Sequence, residues 1–161
     1  MSSSSQPAHS LSLIALDYGD ARIGVAGSDA LGLLAHPLET VASQPRVIAF
    51  ARLAEIFRER RAKSLVVGLP VKADGEEGTA AAKVRAFAES LILHLPPDTP
   101  LFYQDEYRST MQATEHLRAS GKRTKTHRSL IDQAAAVVIL QDFLDANAVP
   151  LPDAKVNNSM E

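Results

Sequence analysis

The stretch Leu13–Asp29, which reads LIALDYGDARIGVAGSD, decides the fold of this chain. An apolar run ends in a carboxylate at Asp17, Gly19 follows, and a second apolar run begins at Ile23. This pattern predicts a buried strand, a tight turn and a second strand that runs back. Asp17 then lies at the carboxyl end of a core strand, where open α/β sheets bind their ligands. Because a buried charge without a partner is costly, we expect a metal ion or a phosphate–metal complex there.

Composition places the chain among globular proteins. It has 161 residues, of which 45% are hydrophobic and 22% charged, as expected for one domain with a sizeable core. The absence of cysteine excludes disulfides, thiolate metal sites and cysteine catalysis. The serine-rich start has no basic or apolar segment typical of a secretory signal, and no apolar run approaches about 20 residues. We therefore expect a cytoplasmic protein without a membrane partner. The net charge of −2 argues against strong non-specific nucleic-acid binding.

The rest of the sequence predicts an α/β fold. The predicted strands cover 13–17, 23–28, 33–41, 64–69 and 101–103, and the predicted helices cover 45–61, about 79–95, 109–121 and 129–146. The first of these helices has Val47, Phe50, Ala51, Ala54 and Phe57 at helical spacing. Three strands joined by hairpins and followed by right-handed crossovers predict a mixed sheet with helices on both faces. Residues 11–147 form the predicted domain, and residues 1–10 and 148–161 are predicted to be disordered tails.

Acidic residues follow elements that this topology brings to one edge of the sheet. They are Asp17, the pair Asp105 and Glu106, and Asp132. Converging carboxylates raise one another's pKa unless a cation neutralises them, and Mg²⁺ prefers such oxygen ligands. Two ions there would support hydrolysis of a phosphodiester without a protein nucleophile. Each acid also has a simpler interpretation: Asp17 as a turn residue, the pair as solvated loop residues, and Asp132 as the acid of a capping box that begins at Ser129.

A basic segment precedes the last helix. The sequence GKRTKTHR over 121–128 contains Lys122, Arg123, Lys125 and Arg128, which would suit the backbone of a nucleic acid. A solvated loop explains it equally well. Arg22 is also ambiguous, because it could bind phosphate or pair with a carboxylate of the hairpin.

Four motifs in order resemble those of the YqgF family, RuvX-like proteins described as pre-16S rRNA nucleases or Holliday junction resolvases. They are DYGDARIGVA (17–26), VVGLPVKADGEEG (66–78), DEYRST (105–110) and IDQAAAVVILQ (131–141). The resemblance implies an RNase H-like fold with strand order 3-2-1-4-5 and a nuclease dependent on Mg²⁺ or Mn²⁺. It also implies Asp17, Glu106 and Asp132 as catalytic and metal-binding residues, with Asp105 as a further candidate ligand. The arginine that often follows the family's DE pair is Tyr107 here, and Arg108 comes next.

The resemblance leaves several functions open. The first is trimming of the 5′ end of precursor 16S rRNA, by a monomer or a homodimer. The second is resolution of branched DNA, which needs a dimer to cut two strands symmetrically. A non-catalytic RNA-binding factor is a third. A nucleotide-dependent kinase or ATPase of the actin-like superfamily is a fourth, although those proteins need two such domains.

Overall fold

A computed structural model describes residues 12–106 and 125–147, with side chains from residue 128 onward in the second range. Its strands are β1 (Leu13–Tyr18), β2 (Arg22–Ser28), β3 (Ala35–Ala42), β4 (Ser64–Leu69) and β5 (Leu101–Asp105). Its helices are α1 (Arg46–Glu59), α2 (Thr79–Ile92) and α3 (Lys125–Ala146). The predicted helix over 109–121 and the predicted tails lie outside the described residues.

The five strands form one mixed sheet in the order β3-β2-β1-β4-β5, which confirms the predicted order. β1 pairs antiparallel with β2, and β2 antiparallel with β3. β1 pairs parallel with β4, and β4 parallel with β5. The carboxyl ends of β1, β4 and β5 therefore meet at one edge of the sheet. We call it the carboxyl edge.

Helices cover both faces of the sheet, because side chains alternate along each strand. On one face, Leu16 of β1 and Val67 of β4 pack with Phe50 of α1 and Phe87 of α2. The opposite face carries smaller residues, and α3 packs there through Ala136, Ile139 and Leu140. The sheet residues under α3 are Ala15, Ala26 and Val66. These small side chains let α3 approach the strands closely. The backbone of α3 therefore lies near the end of β1.

Several boundaries differ from the sequence prediction, and the starts of β3 and α3 matter most. β3 begins at Ala35 rather than at residue 33, because the Asp29 carboxylate accepts hydrogen bonds from the backbone N–H groups of Leu33 and Leu34. These bonds close the β2–β3 connection before the strand begins. Helix α3 begins at Lys125 rather than at Ser129. The predicted capping box at Ser129 is therefore wrong, and the last four residues of the predicted basic loop are helical.

The buried face of α1 was also predicted wrongly in part. Val47 is 80% exposed and Ala51 is exposed, whereas Leu53 and Ile56 are buried. The helix presents to the sheet the face with Ala49, Phe50, Leu53, Ile56 and Phe57, which also follows helical spacing. In an alanine- and isoleucine-rich segment, two neighbouring faces fit the same pattern. Within the described ranges, no helix is both long enough and apolar enough to span a bilayer.

Candidate active site

Asp17 lies near the carboxyl end of β1, on the face covered by α3. Its alternation with Ala15 in the strand places it there, and its partner across the hairpin is Gly24 of β2. Tyr18, the next residue, is on the opposite face and stacks on Phe87 with ring centroids 4.3 Å apart. The Tyr18–Phe87 contact thus anchors the end of β1 on one face of the sheet, while the Asp17 carboxyl lies on the other face, toward α3.

Glu106 follows β5 and is buried, with only 8% of its surface exposed. Its backbone N–H donates to the carbonyl oxygen of Leu69 over 3.2 Å, which fixes the chain beyond the end of the strand. The carboxylate lies against Gly68, where an added Cβ would stand 2.7 Å from Glu106 Oε2 and 2.4 Å from Ile139 Cδ1. Only glycine at residue 68 leaves room for both side chains.

Asp132 reaches the same edge from the third turn of α3. The helix backbone passes directly over Gly24, whose added Cβ would meet the Asp132 carbonyl oxygen at 1.9 Å. Arg22 Nε donates to Asp132 Oδ2 over 2.8 Å, and the two side chains are 41% and 18% exposed. Arg22 therefore pairs with a carboxylate of α3, not with one inside its own hairpin.

Burial and the neighbouring acids shift the pKa of Asp17. The pKa of Asp17 rises from 3.8 to about 8, first because burial disfavours the charged form. Repulsion by Glu106, a hydrogen bond between the two carboxyl groups and repulsion by Asp132 raise the pKa of Asp17 further. At neutral pH the pair of Asp17 and Glu106 therefore shares a proton in place of a second negative charge.

This donor set fits a divalent cation in its chemistry. Two carboxyl groups that share a proton present hard oxygen ligands, and a cation can replace that proton. As they stand, however, no group of three or more histidine, cysteine, aspartate or glutamate side chains in the described residues is arranged to hold a metal ion. Asp17 and Glu106 bond to each other, and Asp132 is held by Arg22. Asp17 and Glu106 are thus the candidate ligands, with Asp132 beside them.

A cavity of about 460 Å³ opens beside the acids. Its lining includes Asp17, Asp20 and Glu106, together with Pro70 and the first turns of α2. Lys83 of α2 lies in this lining, and its Nζ is 3.7 Å from Asp20 Oδ2. Sequence reasoning missed Lys83. The sequence offered one indication that Lys83 lines the site: it lies one turn into a helix that follows a loop at the edge of the sheet.

The other predicted site residues lie in different places. Asp105 is exposed and alternates with the buried Glu106, so the structure does not bring it to the cluster. Arg128 is exposed on α3, four residues before Asp132 and so on the same side of the helix. Lys122 and Arg123, and the side chain of Lys125, lie outside the described residues.

The sheet order and the acids from β1, the end of β5 and α3 define an RNase H-like α/β domain with a carboxylate site. The Fowlpox virus resolvase, solved with Holliday junction DNA, shares this fold with a TM-score of 0.52 at 10% identity, over 86% of this chain and 99% of that one. The chain belongs to the family described as "RuvX: Holliday junction resolvase", whose model matches residues 11–146.

Curated relatives resemble the chain over most of its length. A protein of Streptomyces avermitilis is 47% identical over 136 residues, covering 84% of this chain and 86% of that protein. One of Synechococcus sp. strain JA-2-3B'a(2-13) is 43% identical over 143 residues, covering 89% and 83%. Both carry the name "Putative pre-16S rRNA nuclease". The resemblance to the YqgF and RuvX-like proteins is thereby confirmed.

Proposed function

We propose that this chain is a divalent-metal-dependent nuclease that hydrolyses phosphodiester bonds and trims the 5′ end of precursor 16S rRNA in the cytoplasm. One observation carries the proposal: acids from three separate elements meet at the carboxyl edge, and their proximity helps to raise the pKa of Asp17 to about 8. A purely structural role would favour hydrogen-bond donors around Asp17, because donors stabilise a buried carboxylate.

Asp17 and Glu106 would hold the Mg²⁺ or Mn²⁺, with Asp132 as the third acid. When bound, such ions activate a phosphodiester and an attacking water for in-line hydrolysis. The carboxyl groups would supply the negative charge that retains the cation. When the cation binds, Asp17 and Glu106 would release the proton that they share. In the metal-free chain Arg22 neutralises Asp132 through its 2.8 Å ion pair.

Positive groups next to the acids would bind the substrate backbone. Lys83 lines the cavity together with Asp17 and Glu106, and the amino-terminal end of α2 faces the same space. A helix amino terminus favours anions, so a phosphate group fits between them. Arg128, together with Lys122, Arg123 and Lys125, would extend this contact along the nucleic acid.

Precursor 16S rRNA is the first candidate substrate, because it is the one in the names of relatives 43–47% identical to this chain. The second candidate is a four-way DNA junction, which the family description favours. Trimming one RNA end requires only a monomer, whereas symmetric cleavage of a junction requires a homodimer.

The test incubates the purified chain with a precursor 16S rRNA fragment that retains its 5′ leader and, separately, with a four-way DNA junction. Each reaction is run with Mg²⁺, with Mn²⁺ and with EDTA, and Asp17→Asn serves as the inactive control. We expect ion-dependent shortening of the RNA by the native chain alone. Cleavage of the junction by a dimer, with no effect on RNA, would instead establish the resolvase function. RNA binding without any cleavage would establish a non-catalytic factor.

A further inference from the structure

A second concave surface lies at the other edge of the sheet, between the ends of α1 and α2. Its cavity measures about 530 Å³. Three exposed basic residues, Arg58, Arg61 and Lys63, line it, together with His94. The remaining lining residues form a largely apolar floor and are Ala54, Phe57, Ala62, Leu95 and Pro96. We call this surface the basic pocket.

The basic pocket is separate from the carboxylate site. Lys63 directly precedes β4, and its backbone N–H donates to the carbonyl oxygen of Ser12, just before β1. The pocket therefore lies at the amino ends of the parallel strands, whereas the acids lie at their carboxyl ends. Because β4 has six residues, the two sites are separated by roughly 20 Å along the strands.

Among the described side chains, no acid forms an ion pair with the cations of the basic pocket. In the part of the chain with described side chains, no carboxylate oxygen lies within 4.0 Å of the charged groups of Arg58, Arg61 or Lys63. The acids of α1 are engaged elsewhere, because Arg52 pairs with Glu55 and Glu59. The pocket is thus a local concentration of positive charge in a protein whose net charge is −2.

The fold does not require the charges of Arg61 and Lys63. Arg58 lies in the last turn of α1, where a cation stabilises the helix dipole, but Arg61 and Lys63 lie beyond the helix. Arg61 also adopts a left-handed backbone conformation, with φ of 52°, which favours glycine or asparagine. An arginine here works against backbone preference, which points to a use for its guanidinium group.

We propose that the basic pocket binds a backbone phosphate of the same RNA strand whose bond is cleaved at the carboxylate site. Guanidinium groups match the geometry of phosphate oxygens, and three cations around a concavity attract one anionic group. His94 lines the same pocket, is exposed and packs on Phe50 with ring centroids 5.0 Å apart, so it adds an aromatic ring beside the cations, and we expect a base to contact it. This inference rests on the proposed function, because it assumes a nucleic-acid substrate.

Because the two sites are far apart, RNAs of different length distinguish binding at one site from binding at both. An RNA dinucleotide cannot reach both sites across roughly 20 Å, whereas a strand of about 15 nucleotides can. Affinity for each RNA is measured by fluorescence anisotropy at several salt concentrations, and Mn²⁺-dependent cleavage of each is measured as well. The variants are R58Q/R61Q/K63Q and the charge-retaining control R58K/R61K/K63R. Melting temperatures report whether each variant is folded.

We expect R58Q/R61Q/K63Q to bind the long RNA at least tenfold more weakly, while cleavage of the short RNA stays unchanged. The slope of log affinity against log salt should fall by about 0.7 for each phosphate that the variant no longer neutralises. The charge-retaining control should keep most of the affinity. Unchanged affinity and slope for the long RNA would overturn the inference. A native chain that binds the long RNA but cleaves neither would instead overturn the nuclease proposal.

Arg61→Gly gives a second, independent readout. Glycine suits the left-handed backbone at residue 61, so the melting temperature should hold or rise while affinity for the long RNA falls. A structural role of Arg61 would give the opposite result, a lower melting temperature with unchanged affinity. That result would overturn the assignment of Arg61 to phosphate binding.

Discussion

The backbone carbonyl oxygen of Asp132 occupies the space that a side chain at Gly24 would need. A Cβ added to Gly24 would stand 1.9 Å from that oxygen and 3.1 Å from the Cα of Asp132. Gly24 is also the residue paired with Asp17 across the β1–β2 hairpin. One glycine therefore sets how closely α3 approaches the sheet, and so how near Asp132 comes to the other two acids.

Gly24→Ala should separate α3 from the sheet at the active site. The added methyl meets backbone atoms that cannot rotate away, so we expect a loss of about 1–3 kcal/mol in the free energy of unfolding and a large loss of cleavage. Urea denaturation and the RNA-cleavage assay measure the two effects. Gly27→Ala is the matched control on the same strand, because its Cβ meets Leu38 Cδ1 at 2.8 Å, the end of a flexible side chain. Equal effects of both substitutions would contradict this explanation.

Asp17→Asn should abolish cleavage and leave the protein folded. The amide has almost the shape of the carboxyl group but carries no charge to hold a cation, and it needs no proton to lie beside Glu106 and Asp132. In metal-free buffer we therefore expect an unchanged or higher melting temperature. A clear decrease would show that Asp17 serves a structural hydrogen bond instead.

Asp105→Asn distinguishes the two neighbouring acids of the DE pair. Asp105 is exposed, whereas Glu106 is buried beside Gly68 and its carboxyl group bonds to Asp17. We expect Asp105→Asn to retain cleavage within about twofold and Glu106→Gln to lose it. Titration calorimetry with Mn²⁺ should show the same difference in affinity. Loss of Mn²⁺ binding in Asp105→Asn would show that Asp105 is a metal ligand.

The sheet and several of its strand boundaries could be predicted from the sequence because their signals are local. Buried strand β4 is a continuous apolar run that ends at Pro70, and its predicted bounds match the observed strand, Ser64–Leu69. The carboxyl-edge positions of Asp17 and Glu106 followed from strand ends, which the topology brings together. The strand order came from the family resemblance, and the structure confirms it.

The start of α3 and the partner of Arg22 could not be predicted, because tertiary contacts decide both. A serine with an acid three residues later resembles a helix start, yet the helix already begins at Lys125. Arg22 and Asp132 are 110 residues apart in sequence, so nothing local joins them. The choice between Asp105 and Glu106 likewise depended on which side of the sheet each residue faces at the end of β5.

Stability without metal should decrease as the pH rises from 5 to 8. The pKa of Asp17 is about 8 in the folded chain against 3.8 ordinarily, so over this range the folded state holds a proton that the unfolded state has released. The contribution of Asp17 to the free energy of unfolding is greatest below about pH 4 and falls by at most about 1.4 kcal/mol per pH unit. The pKa values of Asp29, Glu39 and Glu77 are lowered, so these residues matter only at more acidic pH.

Urea denaturation of the native chain and of Asp17→Asn across this range isolates the effect, because every other titratable group is common to both. The difference in unfolding free energy between the two should grow in favour of Asp17→Asn as the pH rises. Saturating Mg²⁺ should remove the slope of the native chain, since the ion takes the place of the proton. Parallel pH profiles in EDTA would show that Asp17 does not titrate in this range.

Arg22→Gln should strengthen metal binding rather than weaken it. The guanidinium group holds Asp132 Oδ2 at 2.8 Å, and so competes with a cation for the third acid of the site. Without it, Asp132 is released and the local potential becomes more negative, so we expect the Mn²⁺ dissociation constant to fall about two- to tenfold, measured by calorimetry. Arg85→Gln is the control, because Arg85 is as exposed as Arg22 and makes a 2.7 Å pair with Glu77, outside the acid cluster. If Arg22 instead binds a substrate phosphate, Arg22→Gln will raise the KM for RNA and leave Mn²⁺ affinity unchanged.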